Sequence, residues 1–389
     1  MCVLFIRGVA IDSKKKKIII VAGEASGDVH GANLAKELFR LRPDLKIFGL
    51  GGKRMQQAGV KTIYDIADTS VVGATEVISR LPSIWRVFRG LSRTIKKKPP
   101  DLLVLIDFPD FNLMLAKVAK RAGVPIVYYI SPQVWAWRSG RVNKIARLVK
   151  KILVILPFEK EIYKKAGVEC EFVGHPLLDE VIPEYTKKDA VKKFGLRLKK
   201  PIFGLLPGSR KNEIDSLLDP ILGSAKLIKD MIPDAQFILP IAPGINITEI
   251  KDTVDRSGLS VSIIEGNAVD AINISDMIIV ASGTTTLQAA ILGVPMVIIY
   301  RISLLSYIIG KLLIKVKDIG LVNIVAGKRI VPELLQKDVN PEKIFSAFWK
   351  IYNNPEDYKR TKEKLKKVMA KLGKPGASRK AAVSILKTL

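Results

Sequence analysis

A chain of 389 residues exceeds what one small core needs and fits two domains of ordinary size, with 48% apolar residues to fill them. Its 64 Lys and Arg against 37 Asp and Glu leave a formal charge of +27, which specifies no fold but draws the chain to something anionic: nucleic acid, phospholipid or a phosphorylated substrate. Only two cysteines, Cys2 and Cys170, and two histidines are present, which excludes a disulfide framework and a zinc site built from several histidines; the chain reads as intracellular, with no metal held by its own ligands.

The first ten residues, MCVLFIRGVA, carry Arg7 and lack a basic start and a cleavage site, so they make no signal peptide. With the lysine run at 14–17 they read as an extension, 1–17, ahead of the first strand. From there short β-branched runs alternate with helical stretches. IIIVA (18–22) precedes NLAKELFRL (33–41), and LLVLI (102–106) precedes NLMLAKVAKRAG (112–123) and IVYYI (126–130). ILVIL (152–156) then leads through FEKEIYKKAG (158–167) to CEFVG (170–174). Continuous apolar strands separated by helices predict a parallel sheet covered on both faces, here a first domain over 18–180.

The lysine-rich stretch 181–201, which holds Pro183 and ends at Pro201, reads as a linker with a short helix. A second series fills 202–355: IFGLL (202–206), a helix near 214–230, AQFILP (235–240), a helix near 246–257, VSII (261–264), MIIVA (277–281), a helix over 284–292 and MVIIY (296–300). Residues 356–389 read as a basic helical tail packing back on the domains. The stretch 297–316 is interrupted by Arg301, Lys311 and Lys315 and falls short of a continuous apolar span of about 20 residues. It reads either as a buried strand and helix or as a segment dipping into a lipid headgroup zone. The expected fold class is α/β, with two Rossmann-like doubly wound domains facing a cleft at the carboxyl ends of their sheets.

Five segments carry candidate chemistry. In VAGEASGDVHG (21–31) glycines at 23, 27 and 31 allow a tight turn before a helix, but the spacing is neither GxGxxG nor a P-loop, and Glu24 and Asp28 argue against simple phosphate cradling. The bland alternative is a helix start capped by Ser26 or Asp28. In LIDFPDFN (105–112) Asp107 ends a buried strand and is a candidate general base, while Asp110 reads as structural, bonding the loop or capping the helix with Asn112. In ISPQVWAWR (130–138) Trp135 and Trp137 line a ligand pocket or close the core, and Gln133 and Arg138 are candidate ligand contacts.

In LLPGSRKNEI (205–214) Gly208 permits close approach, Ser209 can cap and Arg210 offers a fork to a diphosphate; the alternative is a solvated basic loop. In ASGTTTLQAAILG (281–293) Gly283 with the amides of Thr284 and Thr285 makes an anion site at a helix start, and Gln288 lies within reach of a ribose. Asn323, Lys328 and Arg329 are further polar groups flanked by apolar residues.

As a set, GEASGD (23–28), IDFPDFN (106–112), SPQVWAWR (131–138), LPFEK (156–160), FVGHPLLD (172–179), LLPGSR (205–210), ASGTTTL (281–287) and NIVAGK with VPELLQ (323–336) resemble the lipid-A-disaccharide synthase family. The likeness runs from about Ile18 to the C-terminus. It implies a two-domain glycosyltransferase fold of the GT-B type and an inverting transfer of 2,3-diacylglucosamine from UDP-2,3-diacylglucosamine to the 6-hydroxyl of 2,3-diacylglucosamine 1-phosphate, giving the β-1,6-linked disaccharide 1-phosphate and UDP. By resemblance Asp107 is the essential aspartate, Arg210 the essential arginine and Glu24 the acidic residue of the first glycine-rich loop. The 282–284 segment and Asn323 fall where the family holds the uracil nucleotide. No cofactor is implied.

The same resemblance implies a peripheral enzyme of the cytoplasmic face of the bacterial inner membrane, on anionic lipid, and a homodimer of the kind that exchanges C-terminal segments. Two positions depart from the family pattern: Gln288 stands for a ribose-binding glutamate, and Val322 for a proline. The nearest alternatives on this fold are a lipid-linked N-acetylglucosamine transferase or a 2-epimerase. A non-catalytic binder of anionic lipid or nucleic acid is a different class; no nucleic-acid module accompanies the lysines, so nucleic acid is not expected as a partner.

Overall fold

The computed structural model describes residues 15–68, 76–132, 140–301 and 318–389. Strand β1 (Lys17–Ala22) is followed by α1 (Ala25–Leu41), β2 (Lys46–Gly51), α2 (Lys53–Gln57), β3 (Lys61–Asp65) and α3 (Glu76–Lys97). Then come β4 (Leu102–Ile106), α4 (Pro109–Arg121), β5 (Ile126–Tyr129), α5 (Gly140–Leu148), β6 (Lys151–Val154), α6 (Glu159–Lys165) and β7 (Glu169–Phe172). The seven strands form one sheet in the order β3-β2-β1-β4-β5-β6-β7, and every pairing is parallel.

Period-2 alternation explains the two cores. Ile18, Ile20 and Ala22 point to one face, where Leu34, Ala35 and Leu38 of α1 cover them; Ile19 and Val21 point to the other, against Val87, Leu91 and Ile95 of α3 and Leu115 and Ala116 of α4. The strands are buried on both sides, which is why they read as unbroken apolar runs. Strands β2 and β3, which carry Lys, Gly, Tyr and Asp, lack that signature and extend the sheet beyond the strands expected from the sequence.

A short helix α7 (Leu177–Glu180) and α8 (Lys187–Lys193) lead to β8 (Ile202–Leu206), α9 (Lys211–Met231), β9 (Gln236–Ile241), α10 (Ile247–Ser257), β10 (Val261–Glu265) and α11 (Ala268–Ile274). The chain continues through β11 (Met277–Ala281), α12 (Thr285–Leu292), β12 (Met296–Tyr300), α13 (Leu321–Ala326), β13 (Glu333–Leu335), α14 (Pro341–Tyr352), α15 (Pro355–Lys371) and α16 (Ala377–Leu386). The second sheet is also parallel, ordered β10-β9-β8-β11-β12-β13.

Helix α8 lies in the stretch read as a linker, yet Ala190, Val191 and Phe194 pack on Ile202, Ile238 and Ala271 of the second sheet and its helices. The last helix crosses the other way: Ala381, Ala382 and Ile385 of α16 pack in the first domain's core, beside α1. The two chain crossings run side by side. Leu372 O accepts from His175 N at 2.9 Å, and the Asp179 carboxylate accepts from Gly376 N at 2.7 Å and Ala377 N at 3.1 Å, capping α16. A Cβ on Gly373 would lie 3.2 Å from the Gly174 Cα, and both glycines have positive φ, so the crossings pass closely where a side chain would be crowded and strained.

Among the described residues no helix is long and apolar enough to cross a membrane, and no cluster of three or more His, Cys, Asp or Glu is placed to hold a metal ion. Residues 1–13 and 302–316, and with them most of the amphipathic stretch, lie outside the described residues. Arg301, at its start, donates to the carbonyls of Ser216 and Val339 and so ties down the end of β12.

Candidate active site

Each sheet reverses its strand order once, between β1 and β4 in the first and between β8 and β11 in the second. At such a point the loops leaving adjacent strands diverge and leave a crevice at their carboxyl ends. The loops found there are 23–24, 107–108, 207–210 and 282–284, four of the five segments picked out in the sequence. Leu156, just past β6, and Leu177 pack in one cluster with Leu206 at the end of β8 and with Leu287 of α12. This contact brings the carboxyl ends of the two sheets together.

Asp107 follows β4 in a left-handed conformation, φ 43°, and Phe108 repeats it at φ 49°. Ile130, at the end of neighbouring β5, has φ 58° and its carbonyl accepts from Asp107 N at 3.2 Å. Three adjacent non-glycine residues in this region are unfavourable at about 1 kcal/mol or more each and persist only where their surroundings impose them. Those surroundings are identifiable. The Asp107 carbonyl accepts from Asn112 Nδ2 at 2.7 Å and from the Tyr128 hydroxyl at 2.6 Å, and Asn112 also donates to Ile106 O at 3.2 Å. Phe108 swings over Gly23, where a Cβ would lie 2.2 Å from its ring, and stacks on Phe111.

With its backbone fixed this way, the Asp107 carboxyl sits mostly buried. Burial first, and then the nearby Glu24 carboxylate, push its pKa up from 3.8 to about 6, against the opposing pull of the Phe108 N–H and of His30. Such a group is ionised at neutral pH and still basic enough to take a proton.

The other first-domain residues divide clearly. Glu24 is exposed at the N-cap of α1, but its side chain caps nothing, so its carboxylate is left at the mouth of the loop. Neither Ser26 nor Asp28 is the cap. Asp28 is buried and accepts from the amides of Gly52, Arg54 and Met55, which caps the start of α2 and ties β1's helix to β2's. Asp110 is exposed and pairs with Arg141 at 2.6 Å; the loop is bonded by Asn112 and Tyr128 instead. Gln133, Trp135, Trp137 and Arg138 lie outside the described residues.

In the second domain Gly208 has φ 117°, and Arg210 is the N-cap of α9 with an exposed side chain. The Ser209 amide donates to Glu213 Oε2 at 3.1 Å and the Arg210 amide to the same atom at 3.4 Å; Arg210 Nη1 donates to Glu213 Oε1 at 3.2 Å. At the start of α12, Gly283 differs from Gly208. Its φ is not left-handed, and a Cβ there would meet nothing within 4 Å. Among the described residues, nothing in the fold requires glycine at 283. Among the described residues no acceptor takes the amides of Gly283, Thr284 or Thr285, whereas the next amides return to the Gly283 and Thr284 carbonyls. The half-buried Gln288 side chain likewise makes no hydrogen bond among the described residues.

Asn323 is a correction. It is fully buried; its amide donates to Val331 O at 2.9 Å and Glu333 Oε1 at 2.7 Å, and its oxygen accepts from the amides of Ile330 and Val331. Two donors and two acceptor positions are all used, which leaves none for a nucleotide. The side chain builds the 327–333 loop. Glu333, which sequence reasoning passed over, also accepts from Ile319 N and Gly320 N and thereby fixes the chain entering α13. Two grooves of about 580 and 720 Å³, the first beside Leu292 and Gly293 after α12 and the second at the amino ends of β8 and β11, contain no candidate residue.

A family model described as lipid-A-disaccharide synthetase matches residues 18–387. A Geobacter metallireducens protein named lipid-A-disaccharide synthase is 49% identical over 374 residues, 96% of this chain and 97% of its own. A Geobacter sulfurreducens protein of the same name is 47% identical over 378 residues, 97% of this chain and 98% of its own. Among solved structures, a UDP-GlcNAc 2-epimerase from Neisseria meningitidis bound to UDP-GlcNAc superposes with a TM-score of 0.67 at 15% identity, over 95% of this chain and all of that one. A Rickettsia africae glycosyltransferase does so with a TM-score of 0.58 at 14% identity, over 96% of this chain and 98% of that one. At these identities the superpositions speak for the two-domain fold alone.

Proposed function

The chain belongs to the lipid-A-disaccharide synthetase family, and from that premise we propose that it joins a UDP-activated 2,3-diacylglucosamine to the 6-hydroxyl of 2,3-diacylglucosamine 1-phosphate. The observation that carries the mechanism is Asp107, locked at the carboxyl end of β4 with its pKa raised to about 6. The acceptor oxygen forms its bond to the anomeric carbon while Asp107 takes the hydroxyl proton. The bond from that carbon to the diphosphate breaks on the opposite face, so a single displacement turns an α-linked donor into a β-linked product and releases UDP. Glu24 maintains the basicity of Asp107 and lies where it can orient the acceptor.

The leaving diphosphate is held by the amides at Gly283, Thr284 and Thr285, by the Ser209 loop and by the Arg210 guanidinium. Gln288, whose amide has no partner among the described residues, takes the ribose hydroxyls. Both substrates carry acyl chains and phosphate, which suits an enzyme working at a membrane surface. Helix α3 supports that placement: Leu81 is 52% and Trp85 47% exposed, beside Arg86, Arg89 and Arg93 of the same helix, a pairing of apolar and basic groups that favours an anionic interface. We place the enzyme at the cytoplasmic face of the inner membrane, as a homodimer. A dimer that exchanged C-terminal segments would remake the α16–α1 contact between chains.

The test is product formation in mixed detergent micelles with the two diacylglucosamine substrates. The parent is expected to give disaccharide 1-phosphate, and Asp107→Asn to lose at least about a hundredfold in rate. Full activity in that variant would move the base to Glu24. A folded parent that binds UDP but makes no product would point to a different sugar nucleotide.

A further inference from the structure

The loop after β8 already holds an anion, and the anion is the chain's own. Glu213 turns back from the first turn of α9 so that one carboxylate oxygen accepts both the Ser209 and the Arg210 amides, while the other accepts from the Arg210 guanidinium. This is the contact set that a phosphate oxygen takes at a helix N-terminus: converging backbone N–H groups with a cation alongside. Arg210 is 80% exposed and Glu213 only 19%, so the carboxylate lies inward of the arginine that covers it. Gly208 is left-handed at φ 117°, and a Cβ there would lie 2.3 Å from Glu213 Oε2; the loop is shaped around the carboxylate. Tyr300, half-buried at the end of β12, is close enough that the Glu213 charge, after burial, raises its pKa.

We propose that Glu213 is a positioning residue that occupies the diphosphate-binding groups of the 207–210 loop in the unliganded enzyme and gives them up when the donor binds. The inference rests on the donor site proposed above and adds to it an internal competitor. Capping alone does not call for a charge here, because glutamine serves equally at the third position of a capping box. A carboxylate contributes two further effects: it pairs with Arg210, and it repels the phosphates that must replace it. Holding the arginine and both amides keeps the loop assembled while empty, and the repulsion limits how tightly UDP is retained after transfer.

The experiment is calorimetric titration of the full-length chain with UDP and separately with uridine, for the parent and for Glu213→Gln. The variant keeps the cap and loses the charge, so UDP is expected to bind about three- to tenfold more tightly, with the KM for the UDP-sugar falling in step. Uridine, which has no phosphate, is expected to bind both proteins equally. If Glu213→Gln does not fold, Glu213→Asp replaces it. Its carboxylate is one methylene too short to reach the amides, and it too should gain affinity for UDP. Equal or weaker UDP binding in the folded variant would overturn the proposal, as would a matching change in uridine affinity, since either would make Glu213 a support of the loop. A folded parent that binds no UDP would overturn the donor site itself, and is recognised without any variant.

Discussion

At Asp107 the physical cost and the chemical use of one residue can be separated. Its carboxyl is more basic in the folded chain, about 6, than the 3.8 of an open aspartate, so folding favours the protonated form. The resulting penalty is absent below about pH 4, grows between the two values and is fully present above about pH 6. Replacing Asp107 by Asn should therefore stabilise the protein by about 1–3 kcal/mol at pH 8 and leave it unchanged at pH 3.5, as read by denaturant unfolding at both pH values. Turnover follows the opposite sign. A base must be ionised, so kcat/KM of the parent should rise with pH through a half-point near 6, well above the ordinary carboxylate range; a half-point near 4 would show that Asp107 is not the titrating group. The sequence identified this aspartate by its place after an apolar strand. It did not show Asn112 and Tyr128 holding its carbonyl, because a side chain that returns to the backbone leaves no periodic mark.

Two glycines of the second domain pose the same question at the scale of the element and answer it differently. Gly208 has a positive φ and a carboxylate against it, so alanine there should cost about 1–3 kcal/mol of stability through the start of α9. Gly283 faces open space at the start of α12. Gly283→Ala should melt with the parent yet raise the KM for the UDP-sugar several-fold, because the methyl fills the path to the amides. A loss of stability at 283 equal to that at 208 would refute the distinction. Both glycines look alike in a sequence, each following an apolar strand; only the backbone angle and the neighbouring atoms separate them. The same limit applies to Asn323. By resemblance it reads as a nucleotide contact, until Ile330, Val331 and Glu333 are seen to use its whole amide.

Across the whole molecule, the two sheets are joined by adjacent crossings, and the last helix returns to the first domain. Removing residues 377–389 would uncover the face of α1 against which Ala381, Ala382 and Ile385 pack and free the Asp179 carboxylate from its two amides. Burial of those three side chains stabilises by about 3–5 kcal/mol. The truncated chain should show an unfolding transition of the first domain at lower urea, with that of the second domain little changed. A single transition shifted for both domains would mean that they unfold as one unit.

The local pattern alone determined the fold class and the order of its parts. Unbroken β-branched runs buried on both faces can only be strands of a covered parallel sheet, and the loop motifs that follow them stand at strand ends by necessity. Strands β2 and β3 escaped because Lys and Gly in the one and Lys, Tyr and Asp in the other break the apolar run, and α8 passed for linker because its charge hides a buried stripe of Ala190, Val191 and Phe194. Tertiary structure decided what the spacing left open: which loops share a switch point, which polar side chains remain free for a ligand, and that residues 377–386 belong to the first domain. The reason is physical. Periodicity records which face of an element is buried, whereas a site depends on contacts between elements more than a hundred residues apart, and those exist only once the sheets have closed.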